Sequence, residues 1–172
     1  MDERPVRFED LIERHHDELY RYAWRLLDGA GMVEPQDVIQ EVFMNAYRAY
    51  PTLRAGSNTR AWLFRITTNC AYSMLRRSRR ERASTISLDE EALRSPADPL
   101  ERQVARRQVV ESVQEAISLL PPRQQAAVLM RHIHGLRYDE IAAALECSEE
   151  AARASASEGV RRLRRELTGM EE

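Results

Sequence analysis

Residues 136–165 read LRYDEIAAALECSEEAARASASEGVRRLRR. The stretch opens with a short helical pattern, Tyr138 to Leu145, in which Ile141, Ala142 and Leu145 share a face. A turn at Glu146-Cys147 follows. Ser148 then caps a longer helix, with Glu149 and Glu150 in its first turn, where the dipole favours negative charge. Ala152, Ala156, Val160, Leu163 and Leu167 recur at helical spacing as the buried stripe. A short helix, a turn of three or four residues and a longer capped helix make the layout of a helix-turn-helix. In that motif the first turns of the second helix reach base edges in the major groove. Glu149, Glu150, Arg153, Ala154 and Ser157 are the exposed residues there. Arg161, Arg162, Arg164 and Arg165 lie further along, suited to phosphates. The same spacing also serves helical hairpins that merely pack, and the pattern alone does not separate the two.

Upstream, the periodicity stays helical and no strand pattern emerges. Pro121-Pro122 breaks one helix and starts the next, in which Ala126, Val128, Leu129, His132 and Ile133 are expected to point inward before Gly135 ends it. The preceding helix begins near Glu101 and buries Val104, Val109, Val113, Ile117 and Leu120. Residues 84–100 lose periodicity around Ser95-Pro96-Ala97-Asp98-Pro99 and carry Asp89, Glu90 and Glu91, which reads as a mildly acidic flexible linker. Before it stand three helices. The first runs from about Phe8 to Leu27 and buries Leu11, Ile12, His15, Leu19, Tyr22, Ala23 and Leu26, with Gly29 and Gly31 ending it. The second is opened by Pro35 and stopped by Pro51, with Val38, Ile39, Val42, Phe43, Ala46, Tyr47 and Tyr50 as its apolar stripe. The third is capped by Ser57 or Asn58 and runs to about Arg82, with Leu63, Ile66, Cys70 and Met74 as its core side. The expected fold is all-α: two small helical domains, 1–83 and 101–172, joined by the 84–100 linker, the second domain holding the helix-turn-helix.

Charge points to the same partner. The chain is 172 residues long with a net charge of −2, yet residues 60–82 carry seven Arg against Glu81 alone. A concentrated basic block in an otherwise acidic chain suits phosphates, although a solvated helix end has the same look. On the third helix Trp62 and Tyr72 alternate with Arg65, Asn69 and Arg76. Aromatic stacking faces beside guanidinium groups are what single-stranded nucleic acid requires, and stacking contributes roughly 1–3 kcal/mol per base. Trp62 is equally suited to filling a core between helices.

These residues reach a family. Asp37-Val38-Ile39-Gln40-Glu41-Val42-Phe43, then Arg60-Ala61-Trp62-Leu63-Phe64-Arg65-Ile66 with Asn69 and Leu75-Arg76-Arg77, resemble the first conserved region of bacterial sigma factors of the extracytoplasmic-function group. Leu120-Pro121-Pro122-Arg123-Gln124 and Gly135-Leu136-Arg137-Tyr138-Asp139-Glu140-Ile141-Ala142 resemble the second. The likeness covers nearly the whole chain in the family's order. It implies a dissociable subunit of core RNA polymerase that recognises promoter −10 and −35 elements and is controlled by an anti-sigma factor. Asp37, Gln40 and Glu41 would meet a coiled coil of the largest polymerase subunit, and the flap of the second-largest subunit would be a further contact. Asn58, Arg60, Trp62, Arg65, Asn69, Arg76 and Arg77 would hold the melted −10 element. Ser148, Glu149, Glu150, Arg153, Ser157 and Arg161 would read the −35 duplex. The linker would thread toward the polymerase active site. In the last helix, Ser155, Ser157 and Glu158 stand where the family usually has basic residues, which implies fewer phosphate contacts and a shallower salt dependence. Ser73 likewise replaces an Asp common in relatives.

Other classes find little in the sequence. There is no Walker-type or GxGxxG loop, and no nucleophile–base set, so the expectation is a protein that is not an enzyme and needs no cofactor. His15-His16 and His132-x-His134 lack the Cys or carboxylate spacing that completes a metal site. No run approaches the ~18 apolar residues that span a bilayer, and Met1-Asp2-Glu3 does not open a signal peptide, so no membrane insertion and a cytoplasmic location are expected. Cys70 and Cys147 are read as buried, reduced thiols. Two other classes stay open on the residues alone: a helix-turn-helix regulator acting without polymerase, and an interaction module that has lost DNA reading.

Overall fold

Asn58 shows how the chain starts its longest helix. Its side-chain Oδ1 accepts the Ala61 N–H at 3.0 Å while its carbonyl accepts the Trp62 N–H, which satisfies two of the free donors of the first turn. From that cap α3 runs Thr59–Ser84. It follows α1 (Phe8–Leu27), α2 (Pro35–Ala49) and a 3-10 turn at Tyr50–Thr52. The second set comprises α4 (Glu101–Ser118), α5 (Pro122–Val128), α6 (Tyr138–Leu145) and α7 (Glu149–Gly169). The computed structural model describes residues 7–27, 32–84 and 101–169, with residues 101–109 and 169 described by their backbone alone. Residues 85–100 of the expected linker, Gly29, Gly31 and the side chains of Val104 and Val109 lie outside the described residues.

Among the described residues there is no strand, and two helical domains share the chain. In the first, α1, α2 and α3 pack pairwise around Leu11, Leu19, Tyr22, Val38, Val42, Leu63 and Phe64. Thr68 commits its hydroxyl proton to the Phe64 carbonyl at 2.8 Å, so it is Tyr22 that donates to Thr68 Oγ1 at 2.9 Å. That buried bond satisfies a phenol in an apolar core, and burial pushes its acidity well below that of free tyrosine. In the second domain α7 lies along α5 and α6 over Leu129, Met130, Leu136, Ile141, Ala152 and Ala156. Fully burying one Leu of this kind contributes roughly 1.5–3 kcal/mol.

Several expected core positions moved. His132 and Ile133 are exposed, and Met130 is buried instead. The cause is a π-turn at Leu129–Ile133, in which His134 N–H reaches back five residues to the Leu129 carbonyl. The wider turn rotates the residues at its end away from the face that a 3.6 period predicts. On α2 the buried set stops at Ala46, and Tyr47 is 66% exposed, its ring meeting Phe8 edge-on at 5.4 Å. On α3 Ile66 and Met74 are only half-buried, while Phe64, Thr67, Thr68, Ala71 and Leu75 are buried. A helix packed on both α2 and α6 needs a wider buried surface than one stripe. Leu145, Val160, Leu163, Leu167 and Cys147 are half-buried as well.

Gly159 allows α7 to approach α5. A Cβ at this position would stand 2.5 Å from Val128 Cγ2 and 3.3 Å from the Gln124 carbonyl. Gly159→Ala should therefore destabilise the protein by about 1–3 kcal/mol in urea unfolding, despite alanine's better helix propensity. Adding Val128→Ala should recover part of that loss, and no recovery would show that the close contact is not its cause.

Candidate nucleic-acid interface

The cap at Asn58 sets the phase of α3, and hence where each basic side chain emerges. Arg60, in the first turn, donates from Nε to Glu18 Oε2 at 3.2 Å, pairs through Nη2 with Glu18 Oε1, and donates from Nη2 to the His134 carbonyl at 2.6 Å. His134 ends the helix formed by α5 and its π-turn, so Arg60 caps the negative end of a helix in the other domain. Burial alone would raise the Glu18 carboxyl. Hydrogen bonding with His134 and Arg60, together with the Arg60 charge, outweighs that and brings it down to about 2. The paired guanidinium is in turn held more firmly protonated, chiefly by its hydrogen bonds to Glu18.

The rest of the expected −10 set divides in two. Asn58 donates to Glu140 Oε1 at 2.8 Å, and Arg65 donates to Glu146 Oε1 at 3.2 Å, so both meet α6 and its end. Trp62 is half-buried. Asn69, Arg76 and Arg77 are exposed further along. The Tyr72 hydroxyl stands 2.7 Å from the Pro122 carbonyl and 2.9 Å from Gln125 Oε1, and its burial raises its pKa. On the polymerase set, Asp37 and Gln40 are exposed and Glu41 half-buried on one face of α2. Met44, 45% exposed, continues that face one turn on. An open hollow of ≈ 320 Å³ joins the two sets, lined among others by Glu41, Asn69, Cys70 and Arg77. Asn45 spans it, donating to Glu41 Oε1 at 3.1 Å and to Cys70 Sγ at 3.4 Å. Burial pushes the Cys70 thiol up, which disfavours the reactive thiolate. Sequence reasoning missed Asn45, although its i,i+4 spacing from Glu41 was a usable signal.

The polar side chains of α7, the longer helix of the helix-turn-helix, largely pair with one another. Ser148 Oγ accepts the Ala151 N–H at 3.1 Å as expected of a cap. Arg153 donates to Glu149 Oε1 at 3.0 Å and lies 4.4 Å from the Tyr138 ring centroid, while Arg131 lies 4.6 Å from it. Glu158 pairs with Arg161 and, at 3.6 Å, with Arg162. Glu150, Ser157, Arg164 and Arg165 are exposed. Among the described residues no group of three or more His, Cys, Asp or Glu is placed to hold a metal, and no helix is long and apolar enough to cross a membrane.

A three-helix domain with a basic aromatic helix, followed by a helix-turn-helix domain, defines a two-domain protein of the sigma-70 type. Residues 11–81 match the family model of Sigma-70 region 2, and residues 110–163 that of Sigma-70, region 4. The chain belongs to the extracytoplasmic-function RNA polymerase sigma factor family. It is 34% identical to the ECF RNA polymerase sigma factor SigE of Mycolicibacterium smegmatis over 91% of its own length, but spans only 60% of that relative. To the RNA polymerase sigma-H factor of Pseudomonas aeruginosa it is 33% identical over 81% of the chain and 75% of the relative. The fold is that of the sigma factor RpoE solved with the anti-sigma factor NepR from Bartonella quintana (TM-score 0.73, 24% identity, 94% and 96% of the two chains covered). It is also that of CnrH solved with the cytosolic domain of CnrY (TM-score 0.67, 23% identity, 94% and 88%).

The Glu18 carboxyl titrates near 2 in the folded chain against an ordinary 4.5, so its contribution is present above about 4.5 and fades as pH falls toward 2. Glu18→Gln should therefore lower stability in urea unfolding at pH 7 and by steadily less below pH 4.5, the two proteins converging near pH 2. An equal deficit at every pH would remove the ionised carboxylate as its origin.

Proposed function

We propose that this chain is an alternative sigma factor, which binds core RNA polymerase and directs it to promoters by holding a melted −10 strand and contacting a −35 duplex. The observation that carries this reading is the layout of the first domain. Trp62, Arg65, Asn69, Arg76 and Arg77 lie along α3, and Asp37, Gln40 and Glu41 share an exposed face of α2 in the same domain. Stacking on Trp62 and donors from Arg65 and Asn69 offset the few kcal/mol needed to unstack a base. Asp37, Gln40 and Glu41 meet the coiled coil of the largest polymerase subunit, and the second domain meets the flap of the second-largest. The linker threads toward the polymerase active site. Chemistry belongs to the polymerase; this subunit is not an enzyme and carries no cofactor. It works in the cytoplasm.

Control by an anti-sigma factor is part of the proposal, supported by the similar fold of RpoE, which was solved with the anti-sigma factor NepR. The −35 contribution is the weaker of the two. Glu158 neutralises Arg161 and Arg162, and Arg153 is shared with Glu149 and Tyr138. Ser148, Glu149, Glu150 and Ser157 remain as the polar surface of the first turns.

Added to core polymerase, the purified chain should yield defined start sites, and inactivity in the absence of any inhibitor would refute the reading. Replacing Arg76 and Arg77 with Ala should weaken strand binding and flatten its salt dependence by about 0.7 per lost phosphate contact. Glu158→Gln should strengthen duplex binding and steepen its salt slope by freeing Arg161 and Arg162. An unchanged slope would mean that those guanidiniums do not meet phosphate.

A further inference from the structure

The carboxylates around the turn of the helix-turn-helix have partners, with one exception. Glu146 accepts from Arg65 at 3.2 Å, and Glu149 accepts from Arg153 at 3.0 Å. Further along α7, Glu158 pairs with Arg161 and Arg162. Glu150 is exposed in the first turn of α7 and has no ion pair or hydrogen bond among the described residues. Helical spacing sets Ala154 one turn beyond it and Ser157 one turn beyond that, both exposed. This ridge presents a carboxylate, a methyl and a hydroxyl in order. Arginine is the commonest reader of guanine, but Arg153 is turned onto Glu149 and lies 4.4 Å from the Tyr138 ring centroid.

The chemistry of that ridge selects bases. An ionised carboxylate accepts hydrogen bonds and donates none. In the major groove cytosine offers the N4 amino donor, and adenine an N6 donor beside its N7 acceptor. Guanine and thymine present no donor there. A carboxylate brought among phosphates and facing only acceptors loses its water without replacement, so it rejects guanine and thymine as well as selecting cytosine. The Ala154 side chain has no polar atom and fits the C5 methyl of thymine. Four residues of helix rise about 6 Å, against roughly 3.4 Å for a base-pair step, so the two contacts fall on the same short run of base pairs.

We infer that Glu150 is a specificity-determining residue of the −35 contact. It requires a base with an exocyclic amino donor, cytosine before adenine, and rejects guanine and thymine, while Ala154 takes the methyl of a nearby thymine. The inference rests on the reading of α7 as the element that contacts the −35 duplex. Specificity here comes from an unpaired acceptor and a small apolar group, and the arginines of α7 position the helix without naming the bases.

The test uses the full chain with core polymerase on barcoded promoters randomised at the −35 positions. Glu150→Gln and Ala154→Gly are compared with the wild type, and Glu166→Gln, an exposed carboxylate beyond the ridge, is the control. Transcript counts should show, for wild type and control, a position where cytosine outranks guanine and thymine about tenfold. Glu150→Gln should move that position toward adenine, because a carboxamide pairs with both N6 and N7. At a nearby thymine, replacement by uracil should cost the wild type about threefold for the missing methyl, and Ala154→Gly should abolish the difference. Each ratio is taken within one variant, so it does not depend on how much of that variant is folded. Base preferences unchanged by Glu150→Gln, or a thymine–uracil difference that survives Ala154→Gly, would overturn the inference and leave Glu150 as a complement to the helix dipole. Defined starts with no base preference at any −35 position would instead overturn the reading of α7 on which it rests.

Discussion

The ion pair between Glu18 and Arg60 is the constraint on which the arrangement turns. It joins α1 to α3 within the first domain, and through the His134 carbonyl it fastens the end of the π-turn from the second. Removing one partner of a well-buried pair strands the other and costs about 3–5 kcal/mol, whereas exposed pairs contribute roughly 0.2–1 kcal/mol. Glu18 and Arg60 are partly shielded, with 20% and 30% of their side chains exposed, so the pair falls between those limits. It still outweighs Arg65–Glu146, in which both partners are considerably more exposed. One guanidinium thus ties a helix packing, a helix cap and a domain contact to a single group.

That coupling bears on function because Arg60 belongs to the expected strand-binding set. A residue engaged on both sides of a domain contact is unavailable to a third party until the contact opens. The same economy appears at Asn58, which caps α3 with Oδ1 while its amide reaches Glu140. Glu140 in turn accepts the Arg137 N–H at 2.8 Å and caps α6. The starts of α3 and α6 are therefore hydrogen-bonded to each other. Further along α3 the arginines are freer, with Arg77 in only a loose 3.9 Å pair with Glu81, which suits them to first encounter with phosphate.

Much of this was legible in the chain itself. Proline and glycine punctuation placed the helix boundaries, because Pro35 and Pro122 are tolerated only at a helix start and Gly135 takes a φ of +67° that other residues resist. The Ser148 and Asn58 caps were readable for the same local reason. Tyr47, His132 and Ile133 were not. Each is apolar or aromatic enough to suit a core at helical spacing, yet each lies where the helix ends or changes pitch, and periodicity carries no information about a π-turn. The role of Gly159 is visible only in the distance to Val128.

Local chemistry in the sequence determined the helices, their caps, the basic face of α3 and the kinship of the chain, since these depend on residues close together along it. The tertiary structure alone decided which donors are spent. Glu18 and Arg60 are 42 residues apart, Arg60 and His134 74, and Arg65 and Glu146 81. A hydrogen bond depends on ångström-scale distance and direction, and over such separations only the packed fold supplies either.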